Sequence, residues 1–225
     1  YFLPSHMNRL VELADGIEWS GRRFVRVSAN TSTRLMTELR NDCAHLQALV
    51  FEKDALSVGR FEAFSLIGSA ANLTRLDIKD HLNEEEAVLL SSALEKTLFV
   101  EKLTLTIQAG TDGSLEALFQ SVGSLQHLRD LILMLRAPNI NVDFLCRALN
   151  SLQRSLTSFE VTGNDAFFDA FCQRGVTPPN LKLLRLSTSG SHLSGKQLKD
   201  FFDAKQQMPR LKFLNIALGD SESVL

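Results

Sequence analysis

The segment Leu73-Thr74-Arg75-Leu76-Asp77-Ile78 has apolar residues at its first, fourth and sixth positions. Its second half alternates apolar and polar residues, a pattern that predicts a strand with one buried face. The same spacing recurs six more times in the chain, beginning at Leu46, Val100, Leu128, Leu156, Leu181 and Leu211. Seven copies in one chain indicate a repeated structural unit rather than isolated strands.

The copies are regularly spaced, with 27, 27, 28, 28, 25 and 30 residues between successive first positions. A weaker eighth copy, with Arg22, Val25 and Val27 at the three positions, precedes Leu46 by 24 residues. A period in this range is the signature of a solenoid of stacked repeats. It also accounts for much of the leucine content, 39 residues in 225.

Between the strands the apolar spacing becomes that of a helix. After the strand at Ile78, Asn83 is a suitable N-cap, three glutamates follow it, and Ala87 and Leu90 begin an apolar stripe. Glu86 lies at the position that a capping box requires, as does Gln197 after Ser194. Helical stripes in other repeats include Phe61, Phe64 and Ile67; Leu115, Leu118, Phe119 and Val122; Phe144, Leu145, Ala148 and Leu149; and Phe167, Phe168 and Phe171.

A unit of one strand and one helix exposes two apolar surfaces and is stable only when it stacks on its neighbours. Strands are spaced by about 4.8 Å and packed helices by about 9–10 Å. We therefore predict an α/β horseshoe of about eight repeats, with parallel strands on the concave face and helices on the convex face.

These residues resemble a leucine-rich repeat protein over Arg22 to Leu218. The repeat length and the full helix per unit are most similar to the ribonuclease-inhibitor-like subclass. The ninth motif position departs from the family, which usually has Asn or Cys there; the residues in this chain are Asp54, His81, Gln108, Arg136, Asn164, Ser189 and Gly219. The resemblance implies a domain that binds another protein.

The rest of the chain is divided around this domain. Residues 1–7 end in Ser5-His6-Met7 and are interpreted as a tag remnant, and residues 8–21 as an N-terminal cap helix. The leucine-rich repeat domain is assigned to residues 22–218 and a C-terminal tail to residues 219–225. The last strand is followed by no helical pattern, so we expect its edge to be covered by further repeats, by the tail, or by a second chain in a dimer.

The residues between the apolar motif positions are expected to point onto the concave face. From these rows we select nine partner-binding candidates, namely Arg75, Asp77, Lys79, Lys102, Ile132, Met134, Glu160, Arg185 and Phe213. Adjacent Ile132 and Met134 fit an adaptable apolar binding surface, and they equally fit residues that only favour a strand. The charged group around Arg75 also fits an ordinary solvated sheet face. A further C-terminal repeat would cover Phe213.

The sequence contains no pattern typical of catalysis or of a bound cofactor. It has no phosphate-binding glycine loop, no nucleophile elbow, and no histidine or cysteine pair at metal-ligand spacing. The three cysteines, Cys43, Cys146 and Cys172, fall in helical stretches, where a buried small apolar residue is the simpler interpretation. We expect no enzyme activity, no cofactor, no metal and no small-molecule substrate.

Composition excludes several classes of protein and partner. Lys and Arg number 24 and Asp and Glu 26, a net charge of −2 that argues against nucleic-acid binding through Arg22, Arg23, Arg26, Arg75, Lys79 and Lys102. No apolar run is long enough to span a membrane. Three cysteines in 225 residues fit a reducing, cytoplasmic environment better than secretion.

Two functions remain open. The first is a non-enzymatic protein-binding module that acts through the concave face and rim loops, as part of a sensor, a substrate receptor of a ubiquitin ligase, or a microbial effector. The second is a regulator of enzyme activity, such as a GTPase-activating protein of similar horseshoe form. Its candidates are rim-loop residues Arg136, Asn139 and Asn141, although Ala137-Pro138-Asn139 also fits a structural turn.

Overall fold

The computed structural model describes residues 17–19, 24–31, 33–41, 43–57, 59–108, 110–136, 140–174, 178–188 and 208–218. The predicted tag remnant and C-terminal tail lie outside these ranges. So do Ser194, Gln197 and the second predicted capping box.

One sheet of nine strands organises the described part of the chain, and the strands lie in sequence order. The strands are β1 (Ile17–Trp19), β2 (Phe24–Val27), β3 (Ala48–Phe51), β4 (Arg75–Leu82), β5 (Lys102–Ile107), β6 (Asp130–Leu135), β7 (Ser158–Gly163), β8 (Leu183–Thr188) and β9 (Phe213–Leu218). Strands β2 to β9 pair in parallel, each with the next. The prediction of an α/β fold with a parallel sheet is confirmed.

The register of the strands is the one that the repeated spacing predicts. Leu76 pairs with Leu103, Leu103 with Leu131, and Leu131 with Phe159. The neighbouring outward row places Asp77, Thr104 and Ile132 side by side. Each repeat therefore contributes equivalent residues at equivalent places, and the side chains form straight rows across the sheet.

The helices connect successive strands and pack against one another in chain order. They are α1 (Thr33–Asn41), α2 (Arg60–Ser69), α3 (Glu84–Leu94), α4 (Asp112–Ser124), α5 (Val142–Ser151) and α6 (Asp165–Arg174). Short 3₁₀ turns at Cys43–His45 and Ala55–Ser57 accompany the early repeats. Leucines from strands and helices are buried in one continuous core, to which neighbouring repeats contribute in turn.

The predicted capping box at the start of α3 is confirmed. The side chain of Asn83 accepts a hydrogen bond from the backbone N–H of Glu86 at 3.0 Å. The carboxylate of Glu86 accepts one from the N–H of Asn83 at 2.9 Å. Two N–H groups that the helix leaves without partners are thereby satisfied, which fixes where α3 begins.

The prediction of a cap helix over residues 8–21 is wrong for Ile17–Trp19. These residues form β1, which pairs antiparallel with β2. Ile17, Glu18 and Trp19 alternate apolar and charged residues, a period that a strand accommodates. An edge strand such as β2 has unpaired N–H and C=O groups, and a short antiparallel strand satisfies them.

Strand β4 contains an irregularity that the repeat did not predict. Ile78 pairs with Leu105 while His81 pairs with Thr106, so Lys79 and Asp80 form a bulge. Asp80 is buried, and its carboxylate accepts hydrogen bonds from the N–H groups of Leu56 and His81, both at 2.8 Å. The bulge thus links β4 to the turn that follows β3.

One member of the predicted helical stripes is placed wrongly. Phe61 was assigned to the buried face of α2, but 60% of its surface is exposed. Phe64 and Ile67 of the same stripe are buried as predicted. Phe61 lies in the first turn of α2, and the stripe that contacts the core begins one turn later.

Candidate functional site

The open face of the sheet is the face whose residues alternate with the buried core positions. It includes all nine residues selected from the sequence. In β6 and β7 the burial alternates regularly, with half-buried residues on this face and buried residues on the other. The register holds the candidate residues in rows, but the structure divides them into groups with different chemistry.

Asp77 was predicted to be an exposed charge, and this prediction is wrong. Only 3% of its surface is accessible. Its carboxylate accepts hydrogen bonds from the guanidinium of Arg75, with Nε to Oδ2 at 2.8 Å, and from the hydroxyl of Thr104, at 2.8 Å. Val50 and Thr104, its register neighbours on β3 and β5, are buried as well.

Lys79 is exposed, but it does not occupy the predicted row. The bulge in β4 removes it from pairing with Thr106 and it contacts Glu52 instead, with Nζ to Oε1 at 3.0 Å. Arg26 also contacts Glu52, with Nε to Oε1 at 3.3 Å. The cations of β2 and β4 therefore share one carboxylate, and this end of the face has little free charge.

Another ion pair lies at the C-terminal end of the open face. Arg185 of β8 contacts Glu160 of β7, with NH1 to Oε2 at 3.0 Å. Both pairs join adjacent strands across the face, and exposed pairs of this kind contribute about 0–1 kcal/mol each. Their main consequence is that Arg75, Lys79, Glu160 and Arg185 are committed to partners within the sheet.

The centre of the open face differs from both flanks. Lys102 of β5 is paired in register with Asp130 of β6, yet neither side chain forms an ion pair within the described part of the chain. Ile132 and Met134 follow Asp130 on the same strand, and both are half-buried. We name these four residues, Lys102, Asp130, Ile132 and Met134, the central patch.

Phe213 lies at the far end of the face, on β9. It is 67% exposed, the most exposed of the large apolar side chains in the described part. Its register neighbour on β8 is Leu183, which is half-buried. Within the described residues β9 pairs only with β8, so Phe213 stands at an edge of the sheet.

A row of residues just before the strands forms a second surface, which the sequence interpretation did not select. The N–H of Arg129 donates to the carbonyl of Glu101, that of Thr157 to Arg129, that of Lys182 to Thr157, and that of Lys212 to Lys182, at 2.8–2.9 Å. These residues therefore sit side by side along one rim of the sheet. Sequence could have revealed them, because they all occupy the second motif position.

The rim also contains an aromatic groove. The rings of Phe99 and His127 stack with centroids 5.5 Å apart, and Phe99 is 49% exposed. Together with His45, Asn72 and Glu101 they line a surface groove of about 340 Å³. A smaller groove of about 280 Å³ lies on the helical side between α4 and α5, where Arg147 contacts Glu116 at 2.8 Å.

The cysteines do not form a reactive site. Cys43 and Cys146 are buried, as the sequence predicted, and Cys172 lies where no side chain is described. Burial raises the pKa of the Cys146 thiol to about 11, with a smaller contribution from the nearby carboxylate of Asp143. A thiol with this pKa is almost entirely protonated near neutral pH and is a poor nucleophile.

The remaining rim-loop candidates have structural contacts or lie outside the description. The side chain of Asn141 caps α5 by accepting from the N–H of Asp143 at 3.1 Å. Arg136 is exposed and its N–H donates to Ile107. Asn139 is outside the described residues. The described part contains no cluster of three or more metal-ligating side chains and no helix of the length and apolarity needed to cross a membrane.

Comparison with known proteins finds similarity among solved structures. No protein-family model matches the sequence, and no curated protein matches it. Among solved structures, the tropomodulin C-terminal domain from Caenorhabditis elegans is similar over 79% of this chain and 93% of its own length. The sequence identity is 16% and the TM-score 0.37. The functional argument therefore rests on the repeats and surfaces of this chain.

Proposed function

We propose that this chain is a non-enzymatic leucine-rich repeat module that binds a partner protein through the open face of its sheet. The observation that carries the proposal is the central patch. Its charged and apolar side chains are accessible and have no ion-pair partners among the described residues, while the charges on both sides of it are neutralised within the sheet. Accessible side chains without such partners are available to bind another protein.

We also propose an overall shape, a repeat subclass and a cellular setting for this module. The strands and helices differ in lateral spacing, so the stack curves into a horseshoe with the open face inside. Units of about 28 residues with a full helix are most similar to the ribonuclease-inhibitor-like subclass. The module acts in the cytoplasm as the recognition part of a sensor, a ubiquitin-ligase receptor or a microbial effector, and its C-terminal edge meets further repeats or a second chain.

Regulation of a GTPase stays a prediction with weaker support. Asn141 is used as a helix cap, and the other candidate with a described side chain, Arg136, has no second polar residue placed beside it by a described contact. A GTP-hydrolysis assay over a panel of small GTPases tests it. Acceleration that is lost in Arg136→Ala would favour this function over simple binding.

The binding proposal is tested by charge reversal and apolar loss within the central patch. We expect Met134→Asp and Lys102→Glu to lose a partner that the unmodified chain retains in a pull-down. The control is Lys53→Glu, an exposed residue in the turn after β3 that changes the net charge as Lys102→Glu does. Retention of every partner by both patch variants, with normal thermal unfolding, would contradict the proposal.

Arg75 contacts the buried Asp77, so its substitution affects stability as well as the charge of the open face. Arg75→Glu places a second carboxylate beside the buried Asp77, so the variant loses stability as well as charge. Arg75→Gln, which keeps a hydrogen-bond donor, is the more informative substitution for binding. We expect it to leave partner retention unchanged, because the guanidinium is engaged with Asp77.

A further inference from the structure

Five cations lie along the rim that precedes strands β6 to β9. They are Arg129, Arg154, Lys182, Arg210 and Lys212, and we name them the basic rim. All five are exposed, and none forms an ion pair within the described part of the chain. This separates them from Arg26, Arg60, Arg75 and Lys79, each of which contacts a carboxylate.

The backbone fixes the spacing of these charges. The carbonyl of Arg129 accepts from Thr157, that of Thr157 from Lys182, and that of Lys182 from Lys212. Adjacent strands are about 4.8 Å apart, so Arg129 and Lys212 lie about 14 Å apart along the rim. Arg154 and Arg210 lie in the turns just before β7 and β9 and add charge to the same edge.

The aromatic groove adjoins the start of this row. Phe99 precedes β5 and His127 precedes β6, and their rings stack at 5.5 Å. The rim therefore offers an exposed aromatic pair at one end and positive charge along the remainder. From β5 to β9 the distance is about four strand spacings, or roughly 19 Å.

We propose that the basic rim and the Phe99–His127 groove bind an extended acidic segment of a partner protein, with one aromatic side chain stacked against Phe99 and His127 in the groove. The segment spans about six residues, because an extended chain rises about 3.3 Å per residue. The inference rests on the proposed protein-binding function and specifies the chemistry of the partner. It also adds a contact surface beside the open face.

The observations favour a peptide over nucleic acid. Glu101 belongs to the same hydrogen-bonded row as Arg129 and lines the groove, so a phosphate backbone that continues along the rim meets a carboxylate there, whereas the proposed segment has an uncharged aromatic side chain at that place. Single-stranded nucleic acid is held by a series of aromatic platforms, and the described rim has one aromatic pair. A short acidic segment with an aromatic end fits the distribution of charge more closely.

Fluorescence anisotropy with a defined probe tests the inference. The probe is a fluorescein-labelled peptide with one Trp followed by about six Glu residues, and a second peptide has Gly in place of Trp. For the double variant Lys182→Glu and Lys212→Glu we expect binding to weaken by at least about tenfold, and the unmodified affinity to fall with added salt. The control, Lys53→Glu with Arg136→Glu, changes two exposed residues at the opposite ends of the strands. It has the same net charge and should change affinity less than about twofold, since charges distant from the site are screened.

The same experiment tests separately whether the groove contributes to binding. Phe99→Ala should weaken the Trp peptide more than the Gly peptide, because only the Trp peptide has a side chain to seat there. Phe99 is half exposed, so the variant retains the core and its thermal unfolding checks this. Equal weakening of both peptides would remove the groove from the proposal.

Four results would overturn the inference. They are no binding of either peptide by the unmodified chain, equal losses in rim and control variants, tighter binding of a single-stranded DNA oligonucleotide, or tighter binding of phosphatidylserine vesicles. Met134→Asp separates this test from the proposed function, because it changes the central patch and should leave peptide affinity unchanged. Failure of peptide binding with an intact effect of Met134→Asp on the partner would reject the rim alone.

Discussion

The hydroxyl of Thr104 donates a hydrogen bond of 2.8 Å to the buried carboxylate of Asp77 on the neighbouring strand. Arg75 donates to the other oxygen of the same carboxylate. Thr104 and Asp77 occupy the same outward row of adjacent repeats. The sequence predicts that residues of this row bind a partner. At Asp77 and Thr104 the row instead contains a contact that joins two repeats.

Removal of this contact should destabilise the fold. We expect Asp77→Ala to lower the free energy of unfolding by about 1–3 kcal/mol, because Thr104 then has a buried hydroxyl without its partner. Thr104→Val should cost less, and the double variant should show a coupling energy of at least about 0.5 kcal/mol. Urea denaturation of the two single variants and the double variant measures this, and strictly additive effects would contradict a direct bond.

The capping box makes a local prediction about α3. Asn83→Ala removes the side chain that accepts from the N–H of Glu86, and should lower the free energy of unfolding by about 1 kcal/mol. The matched control is Ser92→Ala in the same helix, an exposed residue whose change should stay within about 0.5 kcal/mol. Equal effects of the two substitutions in urea denaturation would mean that the cap is unimportant.

The register of β6 predicts opposite results for adjacent residues. Leu131 is fully buried between repeats, so Leu131→Asp places an unpaired charge in the core and should cost several kcal/mol, enough to unfold a domain of ordinary stability. Ile132→Asp introduces the same charge on the open face, where it is solvated. Thermal unfolding followed by circular dichroism should show loss of the transition only for Leu131→Asp, and a normal transition for that variant would show that the register is wrong.

Cys146 provides a prediction about pH. Its pKa of about 11 lies above the value of 9.0 for a free thiol, so the thiolate fraction near pH 8 is on the order of one in a thousand. Its contribution to stability is present below about pH 9 and is lost as the pH rises towards 11, since the unfolded chain releases the proton first. In a background with Cys43→Ser and Cys172→Ser, we expect a thiol reagent to modify the native protein slowly at pH 8 and rapidly in denaturant. Fast modification of the native protein would contradict the burial of Cys146.

The repeated spacing predicted the parts of the structure that depend on burial. Leu131 must face the core in its repeat as Leu103 does in the one before, and a shift of one residue would reverse every side chain of the strand. The strands, their parallel order and the buried helical stripes follow from this constraint. The capping box at Asn83 was also predictable, because its bonds are formed within four consecutive residues.

The features that sequence did not predict depend on neighbours in space. The burial of Asp77 results from side chains on adjacent strands, and the bulge at Lys79 has no local signature in a segment that otherwise alternates. The strand Ile17–Trp19 is short, and its pairing with β2 is decided by the open edge there. The basic rim was not among the predicted sites, because the candidate residues occupy the third and later motif positions, whereas Lys182 and Lys212 occupy the second.

Site-specific photo-crosslinking tests whether a partner protein binds the open face. A photoreactive phenylalanine analogue is placed at Met134 on the open face or at Val88, an exposed position of helix α3 on the other side of the sheet. We expect irradiation to join the partner to the chain modified at Met134 and not to the chain modified at Val88. Crosslinking at Val88 with none at Met134 would show that the partner binds the helical side, and would contradict binding at the open face.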